Sequence, residues 1–226
     1  MKTKILLTTV STFFILHSAF AQGALTPPGA PAPTMKTLAQ IEPRSPIAAL
    51  PFNITQPGSY YLTTNLTQAV NGGGIFITSG NVTLDLNGFA LLGANSGTTN
   101  GITLSGSIGN ITVRNGTIAG WGGAGVDGFT LAPNSVNELF ERLTVTGNSS
   151  SGILAGPASL IRDCLSSANL GSGNTAGLAT RGGEIRNCVV LANTPYGIYV
   201  SPGVVTGCVV QEKSGPSEGT ALWTGA

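Results

Sequence analysis

The 226-residue sequence carries ten Lys/Arg, nine Asp/Glu and one histidine, for a formal net charge of +1. So even a balance gives no electrostatic footprint for nucleic acid or an anionic membrane surface. The one histidine, His17, falls in an N-terminal leader, so Ser-His-Asp catalysis and His-ligated zinc are excluded for the rest of the chain.

The leader comes first in chain order. Lys2 and Lys4 precede an apolar run from Ile5 to Phe14, and Ala19-Phe20-Ala21 supplies a small-residue cleavage pattern, so residues 1–21 read as a secretory signal peptide. Its removal takes away Lys2, Lys4 and His17, which leaves eight Lys/Arg against nine Asp/Glu and no histidine. No later run approaches the roughly 20 apolar residues that span a bilayer, so no membrane insertion is expected once the leader is gone. The expectation is an exported protein: secreted, at the cell surface or in the periplasm.

Residues 22–50 hold Pro27, Pro28, Pro31, Pro33, Pro43 and Pro46 with few large apolar groups. This stretch reads as a Pro-rich linker, or as an extended arm along the following domain with Ile41, Ile47 and Leu50 buried. From Pro51 the pattern changes. Phe52-Asn53-Ile54-Thr55 and Tyr60-Tyr61-Leu62 flank a Pro57-Gly58 turn and are expected to form an entry strand or cap over the first open edge of the next segment.

Beyond this point the chain repeats itself in two phased signatures. One is glycine followed by an aliphatic residue: Gly74-Ile75, Gly101-Ile102, Gly125-Val126, Gly152-Ile153, Gly177-Leu178 and Gly197-Ile198, spaced 27, 24, 27, 25 and 20 residues apart. The other has anchors at Gly88, Gly116, Leu143, Cys164, Cys188 and Cys208, spaced 28, 27, 21, 24 and 20. Its clearest copies are Ser159-Leu160-Ile161-Arg162-Asp163-Cys164 and Gly183-Glu184-Ile185-Arg186-Asn187-Cys188, running on to Asn169 and Asn193. Two signatures sharing one irregular period mark one structural unit repeated about six times.

Charged residues are only 8% of the chain, and Val, Ile and Leu come in short bursts between Gly, Asn and Ser turns, which is the grammar of strands rather than of disorder. A unit this short, without helical periodicity, buries its apolar side chains only by stacking on its neighbours. The expected fold is therefore all-β, with parallel strands stacked about 4.8 Å apart into a rod of roughly 30 Å. Length variation falls at 94–100, 119–124, 127–137 and 171–176, where loops bulge without disturbing the stack.

Asn81-Val82-Thr83-Leu84-Asp85-Leu86-Asn87-Gly88, Asn110-Ile111-Thr112-Val113-Arg114-Asn115-Gly116 and the Gly-Ile steps resemble the pectin-lyase-like parallel β-helix superfamily. The resemblance covers residues 51–226 and implies a right-handed parallel β-helix of about six to seven coils. That fold carries lyases, hydrolases, tailspikes and adhesins, so it does not set an activity. The superfamily's hydrolase motifs, Asn-x-Asp, Asp-Asp, Gly-His-Gly and Arg-x-Lys, do not occur here. Its calcium-dependent lyases use clustered acids, whereas Asp85, Asp127 and Asp163 fall at different phases of the repeat, so neither metal nor cofactor is expected.

Stacking places Cys164, Cys188 and Cys208 in one column at a bend, where the superfamily often stacks Asn. They read either as buried packing thiols or as a neighbouring pair in a disulfide with one thiol left over. In the next columns Glu141 stands over Arg162 and Arg142 over Asp163, with Arg114 and Arg186 in phase. This is either a ladder of ion pairs or an arginine stripe for an acidic polysaccharide.

The resulting expectation is an exported, non-catalytic rod that contacts a surface or a carbohydrate. The alternative is a polysaccharide lyase or glycoside hydrolase acting on an acidic polysaccharide through Arg114, Glu141, Arg162 and Asp163. Candidate ligand contacts are Trp121 in its glycine-rich loop, Asp127 and Arg186. Beyond Val210 the pattern fades, and either Ala221, Leu222 and Trp223 fold over the last coil or the chain is part of a longer protein.

Overall fold

The computed structural model describes residues 42–68, 72–212 and 220–224; the expected leader and residues 22–41 lie outside them. The described chain is a parallel β-solenoid of seven turns, with every strand pairing in parallel with its equivalent one turn away. Each turn runs over three faces. Face B holds Phe52–Ile54, Ile75–Ile77, Ile102–Ser105, Val126–Leu131, Ile153–Ala155, Ala176–Thr180 and Tyr196–Val200, with Thr220–Thr224 pairing below the last. Faces A and C together form a second, bent sheet. Gly109–Ala119 and Val136–Thr146 run without a break from A into C, whereas in turns 5 to 7 face A (Leu160–Arg162, Gly183–Arg186, Gly203–Thr206) and face C (Leu165–Ser167, Val189–Leu191, Val209–Gln211) are separate strands.

The stretch from Pro51 to Leu66, expected to cap the stack, is itself the first turn: Phe52–Ile54 pairs with Ile75–Ile77, and Gly58–Leu62 with Val82–Asp85. Above it lies Ser45–Ile47, paired with Tyr60–Leu62 and with Ile47 fully buried, so the end of the Pro-rich stretch supplies a strand. Pro46 has no N–H to offer on the outer side of this edge strand, which suits the position.

Alternation at period two sends one set of side chains inward on each face. Ile75, Ile102, Val126, Ile153, Leu178 and Ile198 stack from face B against Leu84, Val113, Phe140, Ile161 and Ile185 from face A, all fully buried. Each contributes roughly 1.5–3 kcal/mol by leaving water. The corners explain the two sequence signatures. At the entry to face B, a Cβ on Gly152 would sit 2.3 Å from the carbonyl oxygen of Gly177, and one on Gly74 would sit 1.9 Å from that of Gly101, so only glycine lets successive backbones stack there. At the corner between faces A and C, Asn87, Asn115, Arg142, Asp163, Asn187 and Gly207 all adopt positive φ (51–62°). Asn, Asp and Gly tolerate that conformation best.

Candidate functional site

The sequence-derived candidates gather on the outward side of face A and its corner with face C. Register stacks Asp85, Arg114, Glu141, Arg162 and Arg186 in one column, one residue per turn. Arg114 Nε donates to Asp85 Oδ2 at 3.1 Å, and Asn115 Nδ2 donates to Asp85 Oδ1 at 3.1 Å. Asn115 Oδ1 in turn accepts from Arg142 Nε at 2.7 Å, and Arg142 Nη2 donates to Glu141 Oε1 at 2.7 Å. The other oxygen of Glu141 accepts from Arg162 Nη2. Arg162 Nε faces Asp163 at 4.0 Å, and Asn187 Nδ2 reaches Asp163 Oδ1 at 3.5 Å. Opposite charges thus alternate from turn 2 to turn 5, with Asn115 as a neutral link, whereas Arg162 and Arg186 stack as like charges and turn 6 is reached through Asn187.

Glu141 does pair with Arg162, as the spacing predicts. Arg142 does not pair with Asp163; it turns to Asn115 and Glu141 instead. The side chain of Glu141 is 5% exposed beneath two guanidinium groups, so its carboxylate presents no free oxygen to a substrate. Arg114 is tied to Asp85, whose carboxyl is held below the usual carboxylate range. Burial works in the opposite sense there, and the hydrogen bonds from Asn87 N and Asn115 together with the Arg114 charge outweigh it. Arg186 is the most weakly held of the column, 4.0 Å from Glu184. The arrangement neutralises its own charges, with Asp85, Glu141 and Asp163 each facing a guanidinium.

Trp121, a candidate ligand contact, folds back into the coil and is fully buried: its indole Nε1 donates to the Leu91 carbonyl at 3.1 Å, and its backbone N–H to Asn148 Oδ1 at 2.9 Å. Glycines at 120, 122 and 123 let the loop fold in rather than out, since a Cβ on Gly122 would overlap the carbonyls of Ser96 and Gly97. No face of the ring is available to a sugar. Asp127, on face B, is 7% exposed and acts as a turn residue: Oδ1 accepts from the N–H groups of Phe129 and Thr130, and Oδ2 from Asn100 Nδ2.

Asparagine ladders and one buried carboxylate lie outside the expectations drawn from the repeat. Asn148, Asn169 and Asn193 stack in a buried ladder at the corner leading from face C to face B, with Asn169 Nδ2 donating to Asn193 Oδ1 at 2.9 Å. The stacked asparagines thus stand at a different corner from the cysteines. A small residue before Asn at spacings of 21 and 24 was the available signal. A second, exposed ladder joins Asn81, Asn110 and Asn137. The other feature is Glu138, which replaces an inward aliphatic residue on face A, opposite Ile111 one turn above. It is 1% exposed; Oε2 accepts from Gly156 N at 2.8 Å and Ser159 Oγ at 3.3 Å, while Oε1 has no hydrogen-bond partner among the described residues. Burial pushes its pKa up.

No protein-family model, no curated protein and no solved structure matches the chain. The site therefore has to be read from its own chemistry.

Proposed function

We propose that the protein is an exported rod of the right-handed, pectin-lyase-like type, non-catalytic, whose outward faces contact a surface polymer such as a glycan. The observation that carries this reading is the pairing of Glu141 with two arginines. Of the groups that lyase or hydrolase chemistry would need, Glu141 is covered by Arg142 and Arg162 and Arg114 is tied to Asp85, while Asp163 stands at the exposed end of the chain, 4.0 Å from Arg162 Nε. Such a chain ties turn to turn, as a rod requires, and the two arginines over Glu141 keep that carboxylate closed. Face C supports the contact role: its strands from Leu66–Thr67 to Val209–Gln211 carry no charged side chain, and Thr117, Thr144, Thr146 and Ser167 alternate there with the inward core residues. An uncharged polymer can lie along such a surface without stripping water from ions.

The test is a panel of neutral and acidic polysaccharides assayed both for retention of the protein and for unsaturated products or new reducing ends. Retention by an insoluble neutral polysaccharide, weakened by Thr144→Lys and without products, is the expected result. Product formation abolished by Arg162→Ala in a folded protein overturns the reading in favour of a lyase or hydrolase.

A further inference from the structure

Cys164, Cys188 and Cys208 hold one position in turns 5, 6 and 7, at the corner between faces A and C, and all three are free thiols. Their sulfurs repeat one environment. Cys164 Sγ lies 3.1 Å from the Arg162 carbonyl oxygen and 3.7 Å from that of Phe140 one turn above. The corresponding distances are 3.2 Å (Arg186) and 3.9 Å (Ile161) for Cys188, and 3.4 Å (Thr206) and 3.7 Å (Ile185) for Cys208. Side chains with the same orientation and the same neighbours are related by a translation of one turn. Successive sulfurs are therefore separated by about the 4.8 Å of paired strands.

That spacing decides what the column can do. A disulfide needs Cβ atoms about 3.5–4.5 Å apart and sulfurs at about 2.05 Å. Translation leaves the Cβ atoms roughly 4.8 Å apart as well, so bond closure requires two turns to be squeezed together against stacked backbone. A two-coordinate cation makes no such demand. With metal–thiolate bonds of about 2.3 Å, the length seen for zinc, a linear sulfur–metal–sulfur bridge spans about 4.6 Å, close to the separation already built. Thiolates select soft cations, Cu(I) among them. Among the described residues no group of three or more His, Cys, Asp or Glu could surround a metal, so zinc and calcium find no cage.

We propose that Cys188 and Cys208 form a linear dithiolate site for a soft monovalent cation, copper(I) or silver(I). Access selects this pair. Cys164 and Cys188 are 3% and 1% exposed, whereas Cys208 is only half-buried in the last full turn, so an ion arrives at Cys208 and is completed by its neighbour. Binding replaces two S–H bonds by two sulfur–metal bonds and releases two protons, leaving a bridge of net charge −1. The Cys188 thiol is held well above its ordinary pKa by contact with the Cys164 thiol and by burial, and burial raises Cys208. Both protons must leave, so affinity rises with pH.

The test titrates silver nitrate, in chloride-free buffer, into the reduced full chain. Native mass spectrometry should find one ion per chain, bound at least tenfold more tightly than by Cys208→Ser or Cys188→Ser and unchanged in Cys164→Ser. The ion should protect Cys208 from alkylation and raise the thermal midpoint in step with the logarithm of its concentration. X-ray absorption on the copper(I) form should show two sulfurs at a single distance. Equal affinity of wild type and a folded Cys208→Ser overturns the proposal, as does a three-sulfur shell or equal competition by zinc. Cys208→Ser is the decisive variant because its side chain is half-exposed, so loss of binding there is not loss of fold.

Discussion

Asn148 and Asn169 share a hydrogen bond inside the solenoid: Nδ2 of the first donates to Oδ1 of the second at 2.8 Å, and the same Oδ1 also receives the Asn148 backbone N–H at 3.1 Å. Asn169 then passes the pattern on to Asn193, whose Oδ1 accepts its backbone N–H at 3.0 Å. One side chain thus satisfies the backbone of the turn above and depends on the turn below. Asn169→Ala strands at least one buried donor, at about 1–3 kcal/mol for each group left unmade. The thermal midpoint should fall by about 5–10 °C, at roughly 2–4 °C per kcal/mol for a chain of this size. Ser167→Ala, which loses only a half-buried hydroxyl bond to Thr146, should move it little. Differential scanning of both variants checks the contrast, and equal shifts would sink the role given to the ladder.

Glu141 and Arg162 provide the corresponding test on the outside. A double-mutant cycle of Glu141→Gln and Arg162→Met should give a coupling of about 1 kcal/mol at low ionic strength, because the carboxylate is nearly buried but the guanidinium is a third exposed. The coupling should shrink in high salt. Urea midpoints at the two ionic strengths measure it.

The repeat, the parallel stack and the Glu141–Arg162 pair were legible because they depend on spacing, and spacing survives in a one-dimensional reading. Trp121 was not. Whether a loop carries its ring outward or inward depends on backbone contacts across turns, here Leu91 and Asn148, thirty and twenty-seven residues away. Arg142 misled for a related reason: at a positive-φ corner its side chain leaves the direction that simple stacking assigns, and the nearest acceptors are Asn115 and Glu141. Glu138 was hidden because a carboxylate inside a core contradicts the pattern from which the core is read.

Trp121→Phe tests whether the buried indole packs the coil or reaches a ligand. The ring is fully buried and its N–H has a single partner, so the change should cost about 2–3 kcal/mol through lost volume and the lost indole hydrogen bond. Any affinity for a polysaccharide should remain at the wild-type level. Reduced retention by a folded Trp121→Phe protein would restore the indole as a contact.

Two glycines separate backbone clash from backbone strain. Gly88 has φ +81° and open space where a Cβ would stand, so Gly88→Ala costs only the left-handed conformation, about 1 kcal/mol. Gly152 faces the carbonyl of Gly177 at 2.3 Å and Ser166 Oγ at 2.6 Å from any added Cβ, and Gly152→Ala should cost about 3 kcal/mol or more because two turns must separate. Chemical denaturation ranks them. The reverse order would mean that the Gly-aliphatic signature reflects chain conformation and not the stacking of one turn on the next.

Glu138 sets how stability responds to pH. Its carboxyl is raised above the ordinary glutamate value of about 4.3, chiefly by burial, with the neighbouring Ser135 hydroxyl and the hydrogen bonds from Gly156 N and Ser159 Oγ opposing the shift and Asp127 adding a little repulsion. Between the ordinary value and the raised folded value, the native state keeps a proton that the unfolded chain has released. Stability from this group is therefore fully present below about pH 4 and is lost as pH climbs through the folded pKa, the opposite of a salt-bridged carboxylate such as Asp85. Glu138→Gln keeps an oxygen for Gly156 N and Ser159 Oγ and supplies donors where Ser135 Oγ lacks a partner. The variant should match wild type in urea midpoint near pH 4 and exceed it increasingly toward pH 7. A constant difference across that range would show that Glu138 stays ionised inside the coil, held by contacts other than those to Gly156 and Ser159.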